Sequence, residues 1–400
     1  MLIREKYLQQ IRGFYNSDLI KILVGIRRCG KSIILKQIAD ELISNYNVEE
    51  DHIIEINFEY IEFENLKDYK ELNKYIKEKI IDKKMYYIFL DEIQTVEKFE
   101  YVVNSLRASL KNVSIFITGS NSKMLSEELS TELSGRYVSF NINPLSYKEF
   151  NELTKQKPDD LSVFLDYATW GGLPNRCEFK NEIDIKNYLH SVYDSIILRD
   201  IIKRLKLQDV LLFDRIMQYL LDTLGREFSA ENMIKNLEKE YKKVSTETIY
   251  SYINALCKAL IIRKVYRYDI HGKSVLKTLN KYYVTDLGIA QIKHYNSEFM
   301  NYVILENIVY NELINKGYEV YIGKFKNYEI NFVAKKNSET KYIQVSYILD
   351  DEKTIEREFN VFKYIKDDNP KYLITLDQRN FSTEDVTQIN VIDFLMDDNF

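Results

Sequence analysis

The residues with the clearest capacity for chemistry form a glycine-rich run near the N-terminus. Residues 25–32 read GIRRCGKS and fit the spacing G-x4-G-K-[ST], between the apolar run ILV and a helical pattern. Glycines let backbone N–H groups surround phosphate oxygens, and the start of the following helix adds the positive end of its dipole. We expect Lys31 to reach the β- and γ-phosphates of a nucleotide and Ser32 to ligate Mg²⁺. The predicted nucleotide-binding residues are Gly25, Ile26, Arg27, Arg28, Cys29, Gly30, Lys31, Ser32 and Ile33.

A pair of acids supplies the second half of this predicted site. The apolar run YIFL, at residues 87–90, leads directly into Asp91 and Glu92. At the end of a strand, Asp91 can hold the water shell of Mg²⁺, and Glu92 can act as general base on an attacking water. An acid pair alone is a weak signal. Together with the glycine-rich run, it predicts hydrolysis of a nucleoside triphosphate.

Two further residues are candidates for the same chemistry. Ser120 follows the apolar run FITG and could sense the γ-phosphate or position water; the alternative is that it caps the start of a helix. Arg136 precedes another apolar run and could act in trans on the γ-phosphate of a neighbouring copy. A surface salt bridge is the alternative for Arg136.

The spacing of apolar runs predicts the scaffold that must position these residues. Five runs alternate with helical patterns, which indicates an α/β fold with a parallel sheet between helices. None of the runs alternates strictly, as expected for strands that are buried on both faces. The predicted strands cover residues 19–24, 53–57, 86–90, 113–118 and 137–142.

Length and composition narrow the class of protein. With 400 residues, of which 45% are hydrophobic and 29% charged, the chain is expected to form two or three globular domains. Its three cysteines are far apart and lack the spacing of a zinc site, which favours a reducing compartment. Because no apolar run reaches transmembrane length, we expect a cytoplasmic protein without membrane contact.

The middle of the chain is basic inside an acidic protein. Residues 200–285 hold 16 Lys or Arg and 10 Asp or Glu, whereas the whole chain has a net charge of −5. Three helical patterns followed by two β-rich runs predict a winged helix. We expect this module to bind DNA through phosphate contacts; binding a protein or bracing a lid is the alternative. The candidate DNA contacts are Tyr250, Arg263, Lys264, Arg267 and Lys273.

The motifs GIRRCGKS, FLDEIQ, ITGSNS, ELSGRY, PLSYKEF and WGGLP together resemble those of the bacterial and archaeal AAA-type ATPases that carry a C-terminal domain of unknown function. The resemblance covers essentially the whole chain. It implies a P-loop ATPase core with a five-stranded sheet over 1–145, a helical lid over 146–205, the winged helix over 206–290, and a restriction-endonuclease-like α/β domain over 291–400.

A looser similarity to the signal-transducing STAND ATPases concerns the lid. In that group a Gly-x-Pro motif touches the nucleotide, which implies a nucleotide contact for Pro174; a plain helix–helix turn is the alternative. The same similarity would bring Arg4 near the adenine.

The last part of the chain resembles PD-(D/E)xK nucleases without their catalytic side chains. Asn331 occupies the position of the usual Asp, Gln344 that of the Glu, and Ser346 that of the Lys. Amides bind hard cations far more weakly than carboxylates, and only Glu306 and Glu329 remain as acids nearby. We therefore expect a catalytically inactive domain that binds or assembles.

These inferences predict a Mg²⁺-dependent ATPase that couples hydrolysis to conformational change, with ATP as the nucleotide that the resemblance implies. We expect a DNA-binding motor or remodeller. The alternative is a STAND-like regulatory switch that acts through protein partners, one of them recruited by the C-terminal domain. If Arg136 acts in trans, active sites lie between subunits, and a homo-oligomer follows, as a ring or an open multimer.

Overall fold

A computed structural model describes residues 2–120, 133, 135–202, 209–237, 244–293, 301–326 and 328–400. By their internal contacts these residues form two units. The first extends to Pro144 and includes Lys258–Leu260; the second comprises Leu145–Cys257 and Ile261–Phe400. Apart from Lys258–Leu260, the predicted lid, winged helix and C-terminal domain all fall in the second unit, so their separation into three domains stays a prediction.

The first unit is built on a five-stranded parallel sheet in the order β2-β3-β4-β1-β5. Each predicted strand is confirmed, with ends that agree within one residue. The strands are β1 (Ile20–Val24), β2 (Ile53–Asn57), β3 (Tyr86–Asp91), β4 (Val113–Gly119) and β5 (Tyr137–Asn141). Every residue of β1, β3 and β4 is buried, which explains why their sequences do not alternate.

Among the described residues of this unit, the helices that accompany the sheet are α1 (Glu5–Arg12), α2 (Lys31–Tyr46), α3 (Tyr69–Lys79) and α4 (Phe99–Ser109). Helix α3 shows how the local sequence defines them. Asp68 caps its start by accepting hydrogen bonds from two backbone N–H groups, and the helix buries Leu72 and Ile76 at a spacing of four residues. Both side chains belong to the main core of the first unit.

The order of the strands brings distant parts of the chain together. Strand β4 lies between β1 and β3 and is parallel to both. In a parallel sheet the carboxyl ends of all strands meet at one edge. The loop after β1, the acids after β3 and the polar residues after β4 therefore share that edge.

The second unit begins with helices. They are α5 (Tyr147–Thr154), α6 (Leu161–Trp170), α7 (Glu182–Ser195) with a π-helical continuation (Ile196–Ile202), α8 (Val210–Asp222), α9 (Ala230–Leu237) and α10 (Thr246–Lys258). Helix α5 starts with a capping box, in which Ser146 and Glu149 each accept the other's backbone N–H. Helix α10 buries Ile249, Ile253 and Leu256 along one face.

A seven-stranded mixed sheet follows, in the order β12-β11-β10-β9-β8-β6-β7. Its strands are β6 (Ile262–Asp269), β7 (Ser274–Val284), β8 (Glu319–Phe325), β9 (Tyr328–Lys336), β10 (Glu339–Val345), β11 (Lys371–Thr375) and β12 (Thr387–Asn390). The helices are α11 (Leu287–Gln291), α12 (Asn301–Asn315), α13 (Glu352–Asn360) and α14 (Val391–Met396), and a 3-10 turn (Val361–Tyr364) follows α13. Within the described ranges, no helix is both long and apolar enough to cross a lipid bilayer.

The hairpin β6–β7, which the sequence predicts as a wing, belongs to this larger sheet. Strand β6 pairs with β8 in parallel, with Arg267 opposite Ile322 and Asp269 opposite Lys324. The hairpin and strands β8 to β12 therefore belong to one hydrogen-bonded sheet. Strand β12 and helix α14 were not predicted. Three of the four residues of β12 are polar, so this strand gives no periodic signal.

Candidate nucleotide-binding site

The glycine-rich loop joins β1 to α2 and has a backbone that only glycine tolerates at two points. A Cβ on Gly25 would lie 2.1 Å from the carbonyl oxygen of Ile142 and 2.7 Å from Cys29 Sγ. Gly30 precedes the first residue of α2 with a φ of 103°, in the left-handed region. Burial raises the pKa of the Cys29 thiol, so this cysteine is a packing residue of the loop.

Lys31 lies between the loop and the acids. Its ammonium donates hydrogen bonds to the carbonyl oxygens of Gly25 (3.1 Å) and Ile26 (3.3 Å), and it is 3.7 Å from Glu92 Oε1. The residue is only 4% exposed. A buried cation that faces both a backbone cradle and a carboxylate is the group that a phosphate chain requires.

Asp91 ends strand β3 in a buried, fully bonded position. Its carboxylate accepts hydrogen bonds from Asn57 Nδ2 (3.0 Å) and from the hydroxyl of Thr118, and it also bonds the side chain of Ser32. Burial raises the pKa of the Asp91 carboxyl, and the hydrogen bonds from Ser32 and Thr118 act against that rise. The predicted metal ligands, Ser32 and Asp91, are thus brought together.

Glu92 adopts a left-handed backbone conformation, with a φ of 57°. Its N–H donates to Thr118 Oγ1 (2.9 Å), and its carboxylate accepts from Ser120 Oγ (3.2 Å) and Gln94 Nε2 (2.5 Å). Ser120 therefore contacts the predicted general base directly. The chain just after it lies outside the described residues, so its alternative role as a helix cap stays untested.

Three residues of this network were not assigned from the sequence: Asn57, Gln94 and Thr118. Asn57 and Thr118 are polar residues at the carboxyl ends of β2 and β4. These two strands flank β3, which ends in Asp91, so their role becomes apparent only once the strand order is known. Gln94 follows the acids in a short turn and hydrogen-bonds both Glu92 and Ser120. Together these side chains fix the two carboxylates.

Arg4 braces the loop from the N-terminal side. Its buried guanidinium donates to the carbonyl oxygens of Cys29 (3.1 Å), Asn143 (2.9 Å) and Pro144 (3.3 Å). These bonds tie the glycine-rich loop to the chain that follows β5. The contact with adenine that the STAND similarity implies stays a prediction.

The remaining loop residues differ in exposure. Arg27 is 3.6 Å from Glu59 Oε1, Arg28 is exposed with a φ of 65°, and Ile33 is 40% exposed on α2.

Arg136 lies far from the site of its own chain. It is exposed and immediately precedes β5, where its carbonyl accepts a hydrogen bond from the N–H of Ile20, the first residue of β1. The glycine-rich loop follows the other end of β1, about 15 Å away for a strand of this length. Within one copy, the strand separates Arg136 from the loop.

The geometry around Pro174 is set inside the second unit. A Cβ on Gly172 would lie 2.2 Å from the carbonyl oxygen of Leu145, and the Gly172 N–H donates to Asp286 Oδ2 at 2.8 Å. Asp286 also accepts from the N–H of Gly288 (3.0 Å), and burial raises its pKa to about 6. Packing against Asp286 thus accounts for the Gly-Gly pair, and a nucleotide contact of Pro174 stays a prediction.

The candidate DNA contacts fall into two groups. Tyr250 on α10 and Lys273 at the hairpin turn are exposed, while Lys264 is half-buried with its ammonium 5.0 Å from the ring of Tyr266. Arg263 is also half-buried and has partners.

Arg267 contradicts its predicted role as a DNA contact. It is 8% exposed, and its guanidinium donates to Glu227 Oε1 (3.0 Å) and to the carbonyl oxygen of Thr278 (3.0 Å). A guanidinium that is buried and already paired inside its own domain cannot also meet a phosphate. Its guanidinium instead stabilises the hairpin through its hydrogen bonds to Thr278 and Glu227.

The nuclease-like positions hold a network of amides. Asn331 Oδ1 accepts from the N–H of Val345 (2.9 Å), its Nδ2 donates to Glu306 Oε2 (2.9 Å), and its own N–H donates to Gln344 Oε1 (3.1 Å). Ser346 is buried directly after β10. The amides thus cross-link strands β9 and β10 and helix α12.

Lys281, which was not predicted as a site residue, enters the same network from β7. Its ammonium is 2.5 Å from Glu329 Oε1 and 3.8 Å from Glu306 Oε1. The two remaining acids therefore face an internal cation. Among the described residues, no group of three or more His, Cys, Asp or Glu side chains is arranged to hold a metal.

Comparison with known proteins agrees with the nucleotide site. Residues 17–151 match an AAA domain, which implies ATP binding, and residues 162–295 match a domain of unknown function, DUF8612. An uncharacterized Haemophilus influenzae protein is 37% identical over 383 residues, which are 94% of this chain and 93% of that protein. An uncharacterized Methanocaldococcus jannaschii protein is 33% identical over 87% of this chain and 79% of that protein.

Solved structures are more distant. The Aeropyrum pernix ORC2 protein is 10% identical, with a TM-score of 0.43 over 78% of this chain and 92% of that chain. A likeness at this level carries no argument about function.

The close approach at Gly25 gives a first prediction. Gly25→Ala should abolish binding of a fluorescent ATP analogue, because the new Cβ would force the loop away from Ile142. Gly13→Ala is the matched control, since a Cβ there meets no atom within 4 Å and the backbone φ is −60°. Equal analogue affinities for the two variants, measured by titration, would show that the loop does not depend on this contact.

Proposed function

Because this chain belongs to the family of AAA-domain proteins that its Haemophilus influenzae relative represents, we propose that it is a Mg²⁺-dependent ATPase whose hydrolysis cycle drives a conformational change. The proposal rests on one observation: four side chains lie close together at one edge of the parallel sheet. They are those of Lys31, Ser32, Asp91 and Glu92.

The side chains divide the chemistry among them. Ser32 and Asp91 would hold Mg²⁺, which, when bound, neutralises charge on the phosphates. Lys31 contributes a fixed positive charge beside the loop amides. Glu92 accepts a proton from the attacking water, and its bonds to Ser120 and Gln94 hold the carboxylate in one orientation.

Hydrolysis needs a moving part, and the second unit is suited to act as one. Asp286 ties the chain after β7 to the Gly-Gly pair of the lid region, so lid and sheet are joined by buried hydrogen bonds. We propose that lid, winged helix and C-terminal sheet respond to the nucleotide together.

The partner we propose for this movement is DNA, which makes the protein a DNA-binding motor or remodeller. The supporting feature is helix α10, which presents Tyr250, Ser251 and Asn254 to solvent next to a hairpin that carries Lys264 and Lys273. Small polar side chains beside lysines suit a helix that enters a groove while the hairpin meets phosphates.

One observation favours the second candidate, a regulatory switch that acts through protein partners. Both Ser120 and Gln94 bond to Glu92, so the general base is engaged by neighbours of its own chain. A base held in this way suits slow turnover that waits for a signal. Stimulation of turnover by DNA, or indifference to it, separates the two candidates.

Turnover by site variants tests the ATPase proposal. Glu92→Gln should bind the ATP analogue with nearly unchanged affinity yet lose turnover by about 100-fold or more, because an amide cannot accept the proton. Lys31→Ala should lose binding as well. The rate of phosphate release at saturating ATP measures turnover in both variants. Turnover of Glu92→Gln at the wild-type rate would show that Glu92 is not the general base.

A mixing experiment tests whether Arg136 acts on a neighbouring copy. Arg136→Ala keeps an intact site, and Lys31→Ala keeps an intact Arg136, so each alone should be inactive while a mixture regains turnover at shared interfaces. A mixture of Lys31→Ala with Glu92→Gln is the control and should stay inactive, since both sites are damaged. Full activity of Arg136→Ala alone would exclude the trans role.

The DNA proposal depends on two lysines of the hairpin, the half-buried Lys264 and the exposed Lys273. Lys264→Glu combined with Lys273→Glu should weaken duplex binding and reduce the slope of log Kd against log salt by about 1 for each lost phosphate contact. Fluorescence anisotropy at several salt concentrations measures both quantities. An unchanged slope would place DNA contacts elsewhere or exclude them.

A further inference from the structure

The second unit contains an open cleft that takes no part in the proposed ATPase chemistry. Its volume is about 860 Å³, and it lies between strands β9 and β10, helix α13 and the 3-10 turn that follows α13. None of the candidate DNA contacts of the winged helix lines it. The residues around it are aromatic and charged.

The aromatic wall is a rigid, solvent-facing pair of tyrosines. The rings of Tyr328 and Tyr364 stack with centroids 4.2 Å apart and planes 22° apart, and their hydroxyls are hydrogen-bonded at 2.9 Å. The buried ring of Phe325 stacks behind Tyr328 at 5.7 Å. Tyr328 and Tyr364 are nevertheless 42% and 41% exposed. An aromatic surface that is fixed from behind and open in front is a platform for another flat ring.

Most of the carboxylates around the cleft are already neutralised. Glu329 pairs with Lys281 at 2.5 Å. Glu358 accepts hydrogen bonds from Arg357 (2.8 Å) and from Gln344 Nε2 (2.7 Å). The acids that would repel an anion at the floor of the cleft therefore have internal partners.

Two of the basic residues around the cleft differ from these acids in having no ion pair among the described residues. Lys353 and Lys363 line the cleft, are exposed, and have no ion pair among the residues that the structure describes. Glu356 is the one lining acid without such a pair in that same part of the chain. Two ammonium groups against one carboxylate leave the cleft with a positive balance beside its aromatic wall.

We propose that this cleft binds a nucleotide unit of a single-stranded nucleic acid, with a base on the tyrosine pair and the adjacent phosphates near Lys353 and Lys363. A single strand fits because its bases are free to stack on a protein ring, whereas those of a duplex are stacked on each other. This site does not rest on the ATPase proposal. It would let the protein hold a strand without cutting it, since two amides and a serine fill the nuclease-like positions.

The test uses the full chain and a fluorescein-labelled twelve-residue thymidine oligonucleotide, in the Lys264→Glu/Lys273→Glu background so that the wing does not mask the cleft. Tyr328→Ala with Tyr364→Ala should weaken binding about tenfold or more, as loss of base stacking predicts. Tyr328→Phe with Tyr364→Phe keeps the rings and should restore most of it. Tyr101→Ala, another exposed tyrosine, is the matched control.

The lysines are tested by salt dependence. Lys353→Gln with Lys363→Gln should reduce the slope of log Kd against log salt by about 0.7 for each lost phosphate contact. Lys366→Gln, an exposed lysine outside the cleft, should leave the slope unchanged.

A position-specific readout completes the experiment. The same oligonucleotide with one 5-iodouracil should photo-crosslink to Tyr328 or Tyr364, as located by mass spectrometry. Free thymidine monophosphate is the competitor. If it displaces the oligonucleotide at an equal concentration of nucleotide units, the cleft is a site for mononucleotides and not for a strand. Crosslinks found only outside the cleft, or equal affinities for the Ala and Phe pairs, would overturn the proposal.

Discussion

The hydroxyl of Thr118 holds both acids of the nucleotide site. It donates to the Asp91 carboxylate and accepts from the N–H of Glu92, at the point where β4 lies between β1 and β3. The strand register makes this possible, because a shift of β4 by one residue would turn Thr118 to the other face of the sheet. The positions of Asp91, Glu92 and the glycine-rich loop thus all depend on the pairing of β4 with β3 and with β1.

Buried polar contacts play the matching role in the second unit. Asp286 holds the Gly-Gly pair of the lid region, and Lys281 balances Glu306 and Glu329 beside the amides of β9 and β10. Each of these groups is costly to bury alone and is stable only with its partner present. The unit is therefore specified by pairs of residues that are far apart in the sequence.

The sequence predicted the first sheet well because its strands are continuous apolar runs, and it predicted Lys31, Ser32, Asp91 and Glu92 because their spacing is local. Asn57 and Thr118 escaped notice because their meaning depends on which strands are neighbours. Arg267 was predicted to face DNA from its charge alone, but Glu227, forty residues earlier, pairs with it. Lys281 was one basic residue among many until the fold placed it between two acids.

The pairing of β6 with β8 limits how this architecture can change over evolution. Strand β6 belongs to the hairpin, yet from Arg267 to Asp269 its other edge is covered by a strand that comes about fifty residues later. A gene that lost everything after residue 290 would leave the backbone N–H and C=O groups of that edge unpaired, which invites aggregation. The hairpin and the chain after residue 290 must then be inherited together. A lineage that needs a new partner has to alter surface side chains instead of exchanging whole domains.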